Sequence, residues 1–156
     1  MSGLDEVETK LPSYWSTSFT TLCVGMKVNG VTTWLMINHA APSLYSLLAN
    51  GGYTQLNLGR IAWKSLIDNS SLQVNCEMEG FNVDPPISDF PNHALARIGI
   101  LTNDEDHCFS CDSRIGFGTG GDLSGQDGTN ACGNEVEYVP DDGIRHTKAF
   151  CYIFLK

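Results

Sequence analysis

The residues best suited to chemistry crowd into Asn103 to Glu135, NDEDHCFSCDSRIGFGTGGDLSGQDGTNACGNE. This stretch gathers Asp104, Glu105, Asp106, Asp112, Asp122, Asp127 and Glu135 with Asn103, Gln126, Asn130 and Asn134, interleaved with glycines and with Cys108, Cys111 and Cys132. Hard cations such as calcium take about six to eight oxygen ligands from carboxylates, amides and carbonyls, and irregular glycine-rich loops can turn such oxygens inward. Apolar residues are scarce here, so the segment is not expected to bury much of itself, and its glycines make ordering it entropically costly. Two readings fit: a calcium site closed by disulfides, or a solvated acidic loop stapled by the same disulfides and binding nothing. EF-hand spacing is not met, because a loop starting at Asp122 would put Asp127 at the glycine position and Gly133 at the closing glutamate.

Other motifs in the stretch are weaker. Gly116 to Gly121 spells GxGxxG, but Asp-Leu-Ser-Gly follows, which neither starts a helix nor tolerates a phosphate. Cys108-Phe-Ser-Cys111 has the CxxC spacing of redox and zinc sites. Flanking Asp106 and Asp112 would raise a catalytic thiol's pKa, and no second CxxC or CxxH completes a zinc site, so each cysteine is expected in a bridge. His39, His93, His107 and His146 lie in no GxSxG or HExxH context, so no hydrolytic machinery is visible and an enzyme is not expected. Tyr138, after Glu135-Val-Glu137, is either a sugar-stacking aromatic at the rim of the acidic site or an ordinary strand residue.

The elements that must position these groups read as one α+β domain over 13–156, behind a polar arm over 1–12. Strands are expected near 18–28 and 31–37 around Asn29-Gly30, a hairpin signal. Pro42-Ser43 opens a short helix with Leu44, Leu47 and Leu48 on one face, ended by Asn50-Gly51-Gly52. LGRIAWKSLIDN suggests a second helix with Ile61, Ala62, Trp63 and Leu66 in an apolar stripe. Further strands are expected near 72–78, over HALARIGIL with Ala94, Ala96, Ile98 and Ile100 inward, over SRIGFGT, and near 147–155 as a central strand. The three prolines of 80–92 make that segment a loop. The result is small antiparallel sheets, two short helices and long Gly/Asp-rich loops.

Composition bounds the partners. Nine Lys and Arg stand against 18 Asp and Glu, a net charge of -9 that repels nucleic acid and anionic membranes. No apolar run is long enough to span a bilayer. Six cysteines, Cys23, Cys76, Cys108, Cys111, Cys132 and Cys151, on a lysine-poor, Ser/Thr/Gly-rich chain imply an extracellular protein with up to three disulfides in any of about fifteen pairings. Asn69-Ser-Ser is an N-glycosylation sequon. MSGLDEVETK is not a signal peptide, so a mature secreted form carrying a start methionine is expected.

ALARIGI, NDEDHC, IGFGTGG, CGNE and TKAFCYIF together resemble the C-terminal half of intelectins, secreted calcium-dependent lectins with a fibrinogen-like core. A closer resemblance, from about Ser18 to Phe154, is to cnidarian secreted domains that include coral skeletal-matrix proteins and a sea-anemone calcium-dependent galactose-binding lectin. AWKSLI, EGFNV, ARIGI, DSRIGFGT and CGN carry it. The resemblance implies a disulfide-linked, fibrinogen-related fold, bound calcium, and recognition of galactose-terminated glycans by hydroxyls coordinated to that calcium; since single sugar sites bind weakly, a homodimer or larger assembly is expected. By this resemblance Asn103, Glu105 and Asp106 fall where intelectins supply metal ligands, with Asp106 in place of a histidine. Asp122, Asp127, Asn130 and Glu135 lead the candidate ligands and Asp112 joins them, while Gln126, Glu135, Glu137, Tyr138 and His107 are the candidate sugar contacts. The alternative is an extracellular-matrix or mineral-associated module that binds calcium but no sugar.

Overall fold

A computed structural model describes residues 6–85, 93–121 and 131–156. Two antiparallel sheets hold the core. The smaller has β1 (Phe19–Val28) between β2 (Val31–Ala41) and β9 (Phe150–Leu155). The larger runs in the order β3 (Thr54–Gln55), β4 (Asn75–Val83), β5 (Leu95–Asn103), β6 (Ser113–Gly120), β7 (Cys132–Val136), β8 (Arg145–Lys148). Three one-turn helices accompany them: α1 (Ser13–Ser16), α2 (Leu44–Leu48) and α3 (Arg60–Lys64). The coarse α+β expectation therefore holds.

Local signals account for the first half. Asn29 and Gly30 take φ of 50° and 83°, the paired left-handed conformations of a two-residue hairpin, and Val28 faces Val31 across it. Ser43 caps α2 through a reciprocal box: Ser46 N–H donates to Ser43 Oγ at 3.0 Å and Ser43 N–H to Ser46 Oγ at 3.1 Å. Leu22, Val24 and Met26 of β1 and Ile37 of β2 pack in one core with Phe81, Ile98, Ile100, Ile115 and Phe117 of the large sheet, and Trp63, Leu66 and Leu72 join it. Each such side chain contributes about 1.5–3 kcal/mol on burial.

Four expectations are corrected. The second helix is only α3, five residues long, and Ile61 is 86% exposed. Trp63 is drawn inward because its indole N–H donates to Glu79 Oε2 at 2.5 Å, and a residue two positions away on one helical turn must then face out. The strand expected at 72–78 begins later, at Asn75, and runs through Gly80 to Val83, so the front of the proline loop is strand. Residues 71–73 are instead tied to the turn at 140–142: Leu72 N–H donates to Asp141 Oδ1 at 3.0 Å and Asp141 N–H to Leu72 O at 2.9 Å. The final run is not one central strand. Polar β8 pairs with β7, the chain crosses between sheets at Ala149, and β9 forms an edge of the small sheet. Finally, the end of the acidic stretch is buried: Cys132 to Val136 form β7, and Asn134 and Glu135 are inside.

Gly80, Gly99, Gly116 and Gly133 stand opposite one another across β4, β5, β6 and β7. A Cβ on Gly133, where φ is 143°, would lie 1.9 Å from Thr147 O, whereas one on Gly120 would meet nothing within 4 Å. Gly133→Ala should therefore cost at least about 2 kcal/mol in urea denaturation, with Gly120→Ala within about 0.5 kcal/mol of the parent. Equal effects would show that the row does not constrain the sheet.

Candidate functional site

The glycine register carries to the far end of β5 and β6, where Thr102 faces Ser113. One step further, Asn103 closes β5 and Asp112 precedes β6, with the loop 104–112 between them. Asn103 is fully buried; its Nδ2 donates to His107 O at 2.7 Å and to Ser110 Oγ at 3.1 Å, so both amide hydrogens are spent on shaping that loop. Asn75, opposite Asn103 on β4, donates from Nδ2 to Asp104 O at 2.7 Å. Gln73 enters from below, also fully buried, its N–H on Ser113 Oγ at 3.1 Å and its Nε2 on Asp104 Oδ1 at 3.1 Å.

These donors leave three acceptors over. Gln73 Oε1, Asn103 Oδ1 and Asp112 Oδ1 are buried without a hydrogen-bond donor. A buried acceptor left unsatisfied costs about 1–3 kcal/mol, and three at one strand end form a concentration that cation coordination would relieve. Burial pushes the Asp112 carboxyl up to about 6, against the pull of the Gln73 amide and with added repulsion from Asp104 and Glu105. Oxygen donors and carboxylate charge are the ligand types that a hard cation takes.

Other expected ligands stand apart. Glu105 and Asp106 are exposed on the loop. Glu135 is buried and bonded through Oε2 to Arg114 Nη2, its register partner. Arg114 also donates from Nη1 to Gly120 O and to Gly121 O, the latter at 3.3 Å. Burial lowers the Arg114 pKa, with Glu135 opposing. Glu135 thus serves an arginine in this structure rather than facing outward. Asn134 is equally occupied, accepting from Ser71 N–H at 2.8 Å and donating to Ser71 O and Arg114 O. Glu137 lies 3.4 Å from His146 Nε2, and Tyr138 is exposed two residues before Pro140, which bridges to Gln73. His107 stacks on exposed Phe109 with centroids 5.3 Å apart. Asp122, Gln126, Asp127 and Asn130 lie outside the described residues.

Two bridges form: Cys76–Cys108 ties the loop 104–112 to β4, and Cys132–Cys151 joins β7 to β9. The expectation that all six cysteines pair is corrected, because Cys23 and Cys111 are free. Cys23 faces outward on β1 opposite Met36 and Phe154, and the neighbour of Cys111, Cys76, is already taken by Cys108. Burial, with Asp112 and Glu105 adding, pushes the Cys111 thiol up to about 12. Among the described residues, Cys76, Cys108 and Cys111 form the one group of three potential metal-ligating histidine, cysteine or carboxylate side chains whose ligand atoms all lie within 4.8 Å of one another.

Gln73 was not anticipated as a site residue. The alternation of a strand at 72–78 would have put it opposite buried Leu72, yet Gln73 is buried as well and Val74 is exposed. The chain matches no known protein family, no curated protein and no solved structure.

The Asp112 shift has a pH consequence. Because its folded pKa of about 6 lies above the ordinary 3.8, the folded state holds the proton longer than the unfolded chain. Ionising Asp112 thus costs stability progressively as pH rises through that window. In EDTA, Asp112→Asn should gain on the parent in urea midpoint from about pH 4 to about pH 6 and keep a constant advantage above it. A difference that shrinks with rising pH would show Asp112 to be stabilised as a carboxylate without metal.

Proposed function

We propose that this is a secreted, calcium-dependent carbohydrate-binding protein that takes terminal galactose, in a disulfide-linked, fibrinogen-related fold. The observation that carries the reading is the set of orphaned buried oxygens, Gln73 Oε1, Asn103 Oδ1 and Asp112 Oδ1, at the root of an acidic loop. Asn103 is also a position where the resemblance to intelectins expects a metal ligand. The bridged cysteines suit an oxidising compartment, and no helix among the described residues is long and apolar enough to cross a membrane.

Gln73, Asn103 and Asp112 would hold the calcium from below, with Asp104, Glu105 and Asp106 supplying charge at the rim. Calcium at such a site supplies open coordination positions that two vicinal sugar hydroxyls can fill, and the cis 3- and 4-hydroxyls of galactose are a pair that glucose lacks. The exposed His107–Phe109 stack and Tyr138 offer ring faces for the apolar side of the sugar, and Glu137 offers an acceptor. Asp122, Gln126, Asp127 and Asn130 remain candidates from the sequence alone. Glu135 acts through Arg114, as a positioning residue. Single sugar sites bind weakly, so the working form is a homodimer or larger assembly.

One observation favours a second reading. Gln73 and Asn103 are fully buried, as ligands of a purely structural calcium would be, which suits a matrix module that binds calcium and no sugar. Calorimetry separates the two. Titrating galactose into the calcium-loaded protein should give heat that vanishes in EDTA, and glucose should give none. Asn103→Ala, checked for fold by circular dichroism, should lose that heat and the calcium-induced rise in melting temperature together. A calcium-induced rise without galactose heat would overturn the lectin reading and leave the structural one; no effect of calcium would overturn both.

A further inference from the structure

Cys76 sits where β4 is irregular. The pairing with β5 shifts register between Asn75 and Met78, and Cys76 takes a φ of 40°, a left-handed conformation uncommon outside glycine. The irregularity brings its sulfur between two others. Cys108, on the loop 104–112, holds it in a disulfide, and the free Cys111 sulfur lies 3.6 Å away. Cys111 is fixed there by Ala94 N–H, which donates to its carbonyl at 2.6 Å, and by packing among Val83, Ala96 and Leu101. A thiol at contact distance from a disulfide sulfur is the starting arrangement of thiol–disulfide exchange.

We propose that Cys76 is shared between two partners, Cys111 displacing Cys108 so that the Cys76–Cys108 bridge becomes Cys76–Cys111 and Cys108 becomes a free thiol on the acidic loop. In the step, the Cys111 thiol loses its proton to water and its sulfur electron pair forms the bond to Cys76 Sγ. The Cys76–Cys108 bond breaks with its pair on Cys108 Sγ, which takes a proton back from water, so none is consumed overall. One disulfide and one thiol stand on each side, so no oxidant or reductant is consumed.

The exchange moves the tether. Bridged at Cys108, the loop is pinned to β4 at its middle; bridged at Cys111, it is pinned at its foot. Residues 104–110 then keep only the Asn103 amide bonds to His107 and Ser110 and the contacts of Asp104 to Gln73 and Asn75. The exchange stands on the sulfur geometry, and the raised pKa of buried Cys111 keeps its thiolate scarce and the step slow. Its effect on the acidic loop's cation affinity rests on the calcium reading above.

Prolonged native labelling with N-ethylmaleimide, acid quench, chymotryptic cleavage at Phe109 and mass spectrometry test it on the full chain. Cys108 reaches the solvent in the second isomer while Cys111 is buried in the first, so labelling should accumulate on Cys108 over minutes to hours and convert the population to Cys76–Cys111. Half-exposed Cys23 labels in either isomer and serves as the internal control. A chain that keeps Cys76–Cys108 throughout, with Cys111 labelled only after denaturation, overturns the proposal. So does a Cys108–Cys111 bridge with label on Cys76. Independently, Cys108→Ser should fold with a Cys76–Cys111 bridge, and two free thiols there would count equally against it. Saturating calcium should slow Cys108 labelling by about tenfold if loop and cation are coupled. An unchanged rate removes the coupling and leaves the exchange standing.

Discussion

Four glycines abreast set the geometry of the large sheet. Gly80, Gly99, Gly116 and Gly133 pair in sequence across β4, β5, β6 and β7, and at Gly99 and Gly116 a Cβ would run into the carbonyl of Ile115 or Ile98 on the adjoining strand. Backbones can approach this closely only where no side chain intervenes. Residues on either side of the row are then fixed in phase. Phe81, Ile98, Ile100, Ile115 and Phe117 all flank a row glycine and all enter the core. Register is also what a site at the strand ends needs, since a slip by one residue would turn Asn103 and Asp112 to opposite faces.

Buried polar groups are held inside by satisfaction rather than by apolar area. Asn134 exchanges bonds with Ser71 and gives another to Arg114 O, and Glu79 receives Leu58 N–H, Gly59 N–H and the Trp63 indole. Each partnered group avoids the desolvation cost that would otherwise exclude it from the interior. Among the described residues the exceptions are five atoms: Arg60 Nη2 and Arg114 Nε, and the oxygens of Gln73, Asn103 and Asp112, which lie together at one strand end. Against a stability of about 5–15 kcal/mol, each such group costs about 1–3 kcal/mol unless a water or an ion meets it.

Elements written in local chemistry were legible in the sequence. Asn29-Gly30 specified its hairpin, Ser43 its cap, and the alternation Ala94, Ala96, Ile98, Ile100 its buried strand. What depends on distant partners was not. Nothing near Ile61 reveals that Glu79 fixes Trp63 and so turns Ile61 out. Nor does CGNEV announce β7, because its burial depends on Arg114 and Ser71, distant in the chain. For the candidate site, the acidic loop and Asn103 were visible as composition, but Gln73 belongs to the site only through a fold that brings 71–73 beneath Ser113. The cysteines were countable without being pairable, since the bulge at Cys76 decides which sulfurs meet.

Glu135, a candidate ligand by its place in the sequence, is held inside by an arginine. Its buried bond to Arg114 offsets the large cost of putting either charge inside, and removing one partner would strand the other. The same guanidinium grips the carbonyls of Gly120 and Gly121, where the chain leaves β6 for the acid-rich 122–130 segment, and β7, which carries Glu135, is where the chain returns. The ion pair therefore clamps both roots of that segment to each other. A buried arginine–glutamate pair contributes little net stability compared with apolar packing, so its value here lies in fixing position.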